Sequence, residues 1–270
     1  MPRIKYYDKV NKRLVYTGSH GDESYWDQLW DTIDFEKSIQ WQFKRNFDPF
    51  VTGHTKKYIK KGGRILEGGC GIGQNVYLLN KHGYDVVGID YAQKTVDKIN
   101  TYAPELDVRF GDVRSLVFED DFFDGYWSFG VIEHFYNGYD EIMLEMHRVL
   151  KQKGVLLMTV PTMSLLKKLK VKKGLYPQWV DGSSQIEQFF QFSLDSTSII
   201  EKFECNGFKL LTAKPISGFK GLKDEVAYLR KPMQFLFDSQ FLLFRVVKKI
   251  VDKLTQRFSG HMTLFIFRKI

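Results

Sequence analysis

The segment Glu67-Gly68-Gly69-Cys70-Gly71-Ile72-Gly73 sets four glycines where a short apolar run, 64–67, gives way to a helical pattern that reaches Lys81. A turn this rich in glycine lets backbone come close to whatever lies above it. The helix that follows aims unpaired N–H groups and the positive end of its dipole the same way, toward a carboxylate or phosphate. A strand delivering such a turn onto a helix is the opening unit of a parallel sheet with crossover helices.

The residues downstream repeat that unit. His82 and Gly83 stop the first helix, a strand follows over 85–90, and a second helix starts near Ala92. Strand 107–110 comes after Pro104 and strand 125–128 after the acidic run 119–121; helix 141–150 and a turn at Gly154 lead to strand 155–160, so that five strand–helix units are legible. Past Pro161 the rhythm loosens into a basic stretch, SLLKKLKVKKG, and an aromatic one, FFQF, which leads into a helix from about Asp195 that stops at Asn206-Gly207. A strand over 208–213, a long apolar and basic insertion and a strand-like end, HMTLFIFRK, complete the chain. Upstream, Trp26, Trp30, Phe35, Trp41, Phe43, Phe47 and Tyr58 are spaced as on two amphipathic helices. The expected organisation is therefore an N-terminal helical cap (1–61), a ligand-binding α/β core (62–161) and a segment that completes the sheet (162–270), all within one structural domain.

Composition narrows the classes. With 270 residues, 43% of them hydrophobic, the chain can bury a full core. Two cysteines, Cys70 and Cys205, support neither a disulfide framework nor a structural zinc site, which fits a reducing cytoplasm; no metal is expected. The N-terminus lacks the apolar h-region of a signal peptide, and no run is long enough to span a membrane. A net charge of +8 favours anionic partners: nucleic acid, acidic lipid or a phosphorylated substrate.

Asp90 sharpens the reading of the glycine turn. It ends the second strand about twenty residues on, where a carboxylate can accept both hydroxyls of a ribose. A dinucleotide fingerprint wants G-x-G-x-x-G, and Gln74 stands where its last glycine belongs, so the tighter G-x-G-x-G argues against NAD.

LEGGCGIGQN resembles the first motif of the class I, Rossmann-like S-adenosylmethionine-dependent methyltransferases, with Glu67 in its acidic place, and VVGIDYA resembles their second. FGDVRSLVFEDDFFDGYWSFGVIEHF is similar to the family segment that holds adenine and then lines the active site; MHRVLKQKGVLLMTVP resembles the approach to its fifth strand. The likeness is close over 62–161 and loose over 189–215, and in it the chain resembles the quinone-biosynthesis and related small-molecule enzymes. It implies a doubly wound, mostly parallel seven-stranded sheet with the last strand antiparallel and a helical insertion before that strand. It also implies S-adenosylmethionine as cofactor and S-adenosylhomocysteine as product. The cofactor-binding positions would be Glu67, Gly69, Cys70, Gly71, Gly73, Gln74, Asp90, Tyr91, Gly111, Asp112, Val113, Ser128 and Phe129. Among these, Asp90 would take the ribose, Asp112 the adenine amino group and Val113 the ring, with Ser128 and Phe129 bordering the sulfonium.

His134 and Glu133 fall just past the fourth strand, where open α/β sheets place ligands. An imidazole there could accept a proton from a hydroxyl or amine as the methyl group leaves sulfur, or it could orient a helix start or a water; Glu133 could set its tautomer. Cys70 reads as a small buried residue without a partner that would make it a nucleophile. Tyr25, Trp26 and Trp30 could form a lid or simply pack a core.

The acceptor is bounded from one side. Ser128-Phe129-Gly130 replaces the Asn/Asp-Pro-Pro-aromatic motif of amino-methylating DNA enzymes, and neither cysteine follows a proline, as cytosine-C5 chemistry requires. No stacking platform for RNA is evident. The expected substrate is an oxygen or nitrogen of a small metabolite, with lipid-linked and saccharide-derived compounds in view. RNA methylation and non-catalytic S-adenosylmethionine binding are the competing readings. FLLFRVVKKIVDKLTQRF interleaves apolar and basic residues at helical spacing, either as an interfacial helix on anionic membrane or as the solvated face of a core helix.

Overall fold

The computed structural model describes residues 4–18, 25–28, 48–180, 182, 184–239 and 241–270. Its centre is a seven-stranded sheet built from β3 (Arg64–Gly68), β4 (Asp85–Asp90), β5 (Asp107–Phe110), β6 (Phe123–Phe129), β7 (Leu150–Pro161), β9 (Phe208–Ile216) and β10 (Met262–Lys269). The order is β5-β4-β3-β6-β7-β10-β9. Strands β5 to β7 pair in parallel, and β10 runs antiparallel between β7 and β9. The chain winds outward from β3 through β4 to β5 and then returns to the other side of β3 at β6. A crevice therefore opens at the C-terminal ends of β3, β4 and β6, the switch point at which doubly wound sheets bind ligands.

Helices cover both faces because the central strands are apolar on both. Along β10, Leu264 and Ile266 point to one layer with Ile65, Val86, Trp127 and Leu157, under α2 (Gln74–Lys81) and α3 (Gln93–Tyr102). Phe265 and Phe267 point to the other with Leu66, Tyr126 and Met158, under α4 (Asp140–Val149) and α6 (Ser196–Glu204). The strand period of two is what divides these side chains between layers. Ahead of the sheet, α1 (Pro49–Tyr58) starts on an Asp48 cap that accepts the Phe50 amide at 2.9 Å, and its Thr55 hydroxyl accepts the buried Trp127 indole N–H at 3.0 Å.

A second, three-stranded antiparallel sheet has the order β1-β2-β8, from β1 (Ile4–Asp8), β2 (Arg13–Thr17) and β8 (Phe189–Ser193). Val15 joins the main core, while Leu14, Tyr16 and Phe190 pack with Met163 and Tyr176. This sheet departs from the sequence reading, which placed a helical cap over 1–61 and gave FFQF no strand. The β2–β8 pairs join residues about 175 apart, such as Val15 with Phe192, and no local period reports a pairing of that kind, whereas β1 and β2 form a local hairpin, Ile4 pairing with Thr17, that the sequence reading passed over. Tyr25–Gln28 and α1 are helical within the expected cap; Trp30, Phe35, Trp41, Phe43 and Phe47 lie outside the described residues. The turn expected at Gly154 is also absent: β7 runs on through it, with Lys153 in the left-handed region at φ 66° and a register shift against β6. The basic stretch after β7 forms α5 (Leu165–Lys172), and the late insertion forms α7 (Gly218–Glu225), α8 (Arg230–Asp238) and α9 (Leu242–Ser259).

Candidate active site

Three of the turn's glycines stand at positive φ: Gly69 at 74°, Gly71 at 52° and Gly73, which opens α2, at 70°. L-residues with a Cβ adopt such angles only at a cost, so the path of this loop requires glycine. Two sets of bonds hold it to β4. The Gly69 and Cys70 amides both donate to the Ile89 carbonyl, at 2.8 and 3.0 Å, and the Gly71 amide donates to Asp90 Oδ2 at 2.7 Å. Asp90 Oδ1 accepts the Ala92 amide at 3.0 Å, so this one carboxylate ties the loop to the start of the next helix. Burial raises its pKa above the usual carboxylate value, and the amide bonds only partly oppose that.

Glu67 is buried at the end of β3. Its Oε1 accepts the Asn75 side-chain amide at 2.7 Å, whereas Oε2 has no hydrogen-bond partner among the described residues. Burial pushes its pKa up to about 8. A buried carboxylate with one oxygen unsatisfied is a strong attractor for a cation that can donate to it.

The loop, Glu67 and Asp90 form one wall of a cavity of about 1010 Å³. Cys70, Gln74, Tyr91, Gly111, Asp112, Val113, Phe129 and His134 also line it. Gly73, Ser128 and Glu133, expected at the site, are not among its lining residues; Ser128 and Glu133 are buried behind it, and Gly73 acts through the loop's conformation. Asp112 is half engaged elsewhere: it accepts the Arg114 amide at 2.8 Å and a forked guanidinium contact at 2.6 to 3.0 Å. Burial would raise its pKa, but the bonds and charge of Arg114 prevail and hold it below the normal range.

At the far end, the 3₁₀ turn Ile132–His134 brings His134 to the cavity wall. Its Nδ1 lies 2.7 Å from the Phe190 carbonyl, which can only accept, so Nδ1 carries the proton and Nε2 is the lone-pair nitrogen of the neutral ring. The edges of Trp26 and Phe190 meet the imidazole at 5.0 Å. The tautomer is thus set by the Phe190 carbonyl rather than by Glu133. Glu133 turns inward beneath Gly130, its Oε2 without a partner among the described residues and its pKa raised to about 8 by burial.

Sequence reasoning missed Asn75, Arg114, Tyr136 and Phe189, all of which line the cavity. Asn75 and Arg114 sit one or two places from motif residues and could have been found as their partners. Phe189 arrives on β8 from the second sheet, and nothing local marks it.

Residues 66–158 match the family model described as a methyltransferase domain. Over 100 residues the chain is 34% identical to a Mycolicibacterium smegmatis protein named a probable S-adenosylmethionine-dependent methyltransferase, covering 37% of this chain and 38% of that one. Over 108 residues it is 30% identical to the ubiquinone biosynthesis O-methyltransferase of Rickettsia akari, covering 39% and 42%. The chain's matched part thus spans about two fifths of the length of these curated relatives. A solved S-adenosylmethionine-dependent methyltransferase from Methanosarcina mazei superposes with a TM-score of 0.55 at 16% identity, covering 83% of this chain and 98% of the other, a likeness of fold. The cavity suits that cofactor on its own terms: glycines leave room for a backbone-hugging ligand, and the orphaned Glu67 oxygen awaits a cationic donor. In its Rossmann-like sheet and in its central residues 66–158, this chain resembles the class I S-adenosylmethionine-dependent methyltransferases.

Proposed function

We propose that this chain transfers the methyl group of S-adenosylmethionine to an oxygen or nitrogen of a small acceptor, with lipid-linked and saccharide-derived compounds in view. The observation that carries this reading is the continuity of the cavity. One space of about 1010 Å³ touches the glycine turn, Glu67 and Asp90 at one end and His134 at the other, enough for cofactor and acceptor together.

In this reading Glu67 Oε2 receives the ammonium group of the methionine moiety, and its excess proton is lost as it does so. Asp90 accepts the ribose hydroxyls with lone pairs left over from its two amide bonds. Val113 packs on the adenine while Asp112 accepts its amino group, and Phe129 borders the sulfonium. Gly69, Cys70, Gly71, Gln74, Tyr91 and Gly111 shape the same wall, with Gly73 and Ser128 supporting it. The bound cofactor supplies an electrophilic methyl carbon with a neutral leaving group. The protein's task is then to hold the acceptor atom in line about 3 to 3.5 Å away and to exclude water. His134 Nε2 takes the acceptor's proton, and Glu133 shapes the ground beneath the turn that carries it.

Calorimetry with S-adenosylmethionine and S-adenosylhomocysteine tests the cofactor half, with micromolar affinity expected. Transfer of labelled methyl groups into fractionated metabolite pools tests the acceptor half. No affinity for either compound beside clear affinity for a nicotinamide nucleotide overturns the reading, and label entering only RNA reassigns the acceptor.

A further inference from the structure

The insertion between β9 and β10 rises from the edge of the sheet at which the cavity opens. Met262, the first residue of β10, pairs with Ile216, the last of β9, and with Pro161, the last of β7, so α7 to α9 lie beyond the C-terminal ends of the parallel strands. Met262 also approaches Gly130 on the cavity wall.

Helix α9 is attached by its polar side. Asp252 Oδ1 accepts the Phe219 amide in the first turn of α7 at 3.0 Å, and the Ser259 hydroxyl donates to the Gly218 carbonyl at 2.8 Å. Gly218 and Gly221 let the two backbones touch: a Cβ on either would overlap main-chain atoms of Gln256 or Ser259. Small and polar groups seat the helix together with half-buried Phe244, Val247 and Val251, and its remaining apolar residues are turned outward. Leu243, Val246, Ile250 and Leu254 form one stripe and are 70%, 45%, 53% and 77% exposed; Phe241 and Leu242, at the turn that starts the helix, are 76% and 74% exposed. Among the described residues nothing covers this stripe, and an exposed apolar patch of that kind marks an interaction surface.

The charges beside the stripe have one sign. Arg245, Lys249, Lys253 and Arg257 are exposed, whereas the helix's single carboxylate, Asp252, is committed to α7. A convex helix that presents an apolar stripe flanked by cations, with bulky apolar residues at its leading turn, matches the headgroup boundary of an anionic bilayer better than a protein groove. We infer that the outward face of α9, together with Phe241 and Leu242, docks this protein on an anionic lipid surface, so that the cavity edge faces the membrane and the acceptor is drawn from it. The docking stands by itself; the origin of the acceptor rests on the reading given under Proposed function.

The test uses the full chain and sedimentation with phosphatidylcholine vesicles, with and without phosphatidylglycerol, at low and raised salt. Binding to the anionic vesicles alone, weakening with salt, is expected. Lys249→Gln with Lys253→Gln should lower the partition about 25-fold, since each cation near the surface contributes about fivefold. Leu243→Glu with Ile250→Glu, at exposed positions that leave the fold intact, should abolish it. S-adenosylmethionine affinity, read separately by calorimetry, should be the same in all variants, so loss of vesicle binding and failure of the cofactor reading are distinct results. No binding at low salt, or binding that survives the glutamate pair, overturns the inference. So does a dimer in light scattering that the glutamate pair dissolves without any vesicle binding, which would give the face to a second copy of the chain.

Discussion

His134 donates its Nδ1 proton to the main-chain carbonyl of Phe190, 2.7 Å away, and in doing so joins the turn after β6 to the second sheet. The bond orients the ring and, in the neutral imidazole, places the proton on Nδ1. His134→Ala should lower kcat by about 10²- to 10⁴-fold, the usual contribution of a positioned base, while S-adenosylhomocysteine affinity changes less than about twofold. Unchanged turnover would remove the base role and leave the fold assignment intact.

Asp90 bridges two segments through the Gly71 and Ala92 amides, so its loss acts twice. Asp90→Ala should destabilise the chain by about 1–3 kcal/mol, the cost of stranding buried amide donors, and weaken cofactor binding by about tenfold to a hundredfold. Thermal unfolding with and without S-adenosylhomocysteine separates the two effects: the ligand-induced rise in Tm should shrink along with the baseline.

Gly68 lies against the ring and hydroxyl of Tyr126, where an added Cβ would overlap Oη. Tyr126 is fully buried and its hydroxyl has no partner among the described residues. Gly68→Ala should therefore cost about 1–3 kcal/mol by overpacking, and Tyr126→Phe alone should be neutral or stabilising. The double variant should recover part of the loss, a non-additivity that chemical denaturation can read.

Glu67 and Glu133 each have a pKa pushed from 4.5 up to about 8 by burial. The folded chain therefore holds more protons than the unfolded one between those values. Their contribution to stability is complete below about pH 4.5 and is lost as pH rises through 8. Each group contributes a slope of up to about 1.4 kcal/mol per pH unit within that window. Glu67→Gln and Glu133→Gln should each flatten the fall of Tm between pH 5 and about 8. If Glu67 meets the cofactor's ammonium, binding near pH 7 should also release a proton, seen as a dependence of the calorimetric enthalpy on buffer.

Lys167 carries the opposite sign. It is fully buried, donating to the Thr162 carbonyl at 2.9 Å and the Ser193 hydroxyl at 2.8 Å, and burial pulls its pKa from 10.5 down to about 7. The folded state resists protonation there, so this group favours folding most above pH 10.5 and loses that advantage as pH falls toward 7. Lys167→Met should remove the rise in stability with pH across that range, as followed by unfolding at a series of pH values.

The local signals that survived folding were those written in short spacings. The boundaries of β4 and β5 agree with the reading from sequence, because turn residues punctuate them: Gly83 stands ahead of β4, and Pro104 and Gly111 stand on either side of β5. The loop from Gly68 to Gly73 was legible because positive φ leaves few residue types to choose from. Asp90 was found because the ends of parallel strands lie side by side, whereas Glu67 and Asp112 came from the likeness to the family's motifs; all three line the cavity.

What the amino-acid order determined by itself is the doubly wound core and the half of the cavity lined by the glycine turn, Glu67 and Asp90, since each depends on strand, turn and helix periods only a few residues long. Tertiary structure alone decided the other half. Phe189 and Phe190 reach the cavity and His134 only because β8 pairs with β2, far away in the chain, and Glu67 is charged with its unusual proton only because the sheet closes over it. The outward turn of α9 was decided the same way, for a helical period shows which residues share a face but not which face a pair of glycines on α7 will draw inward.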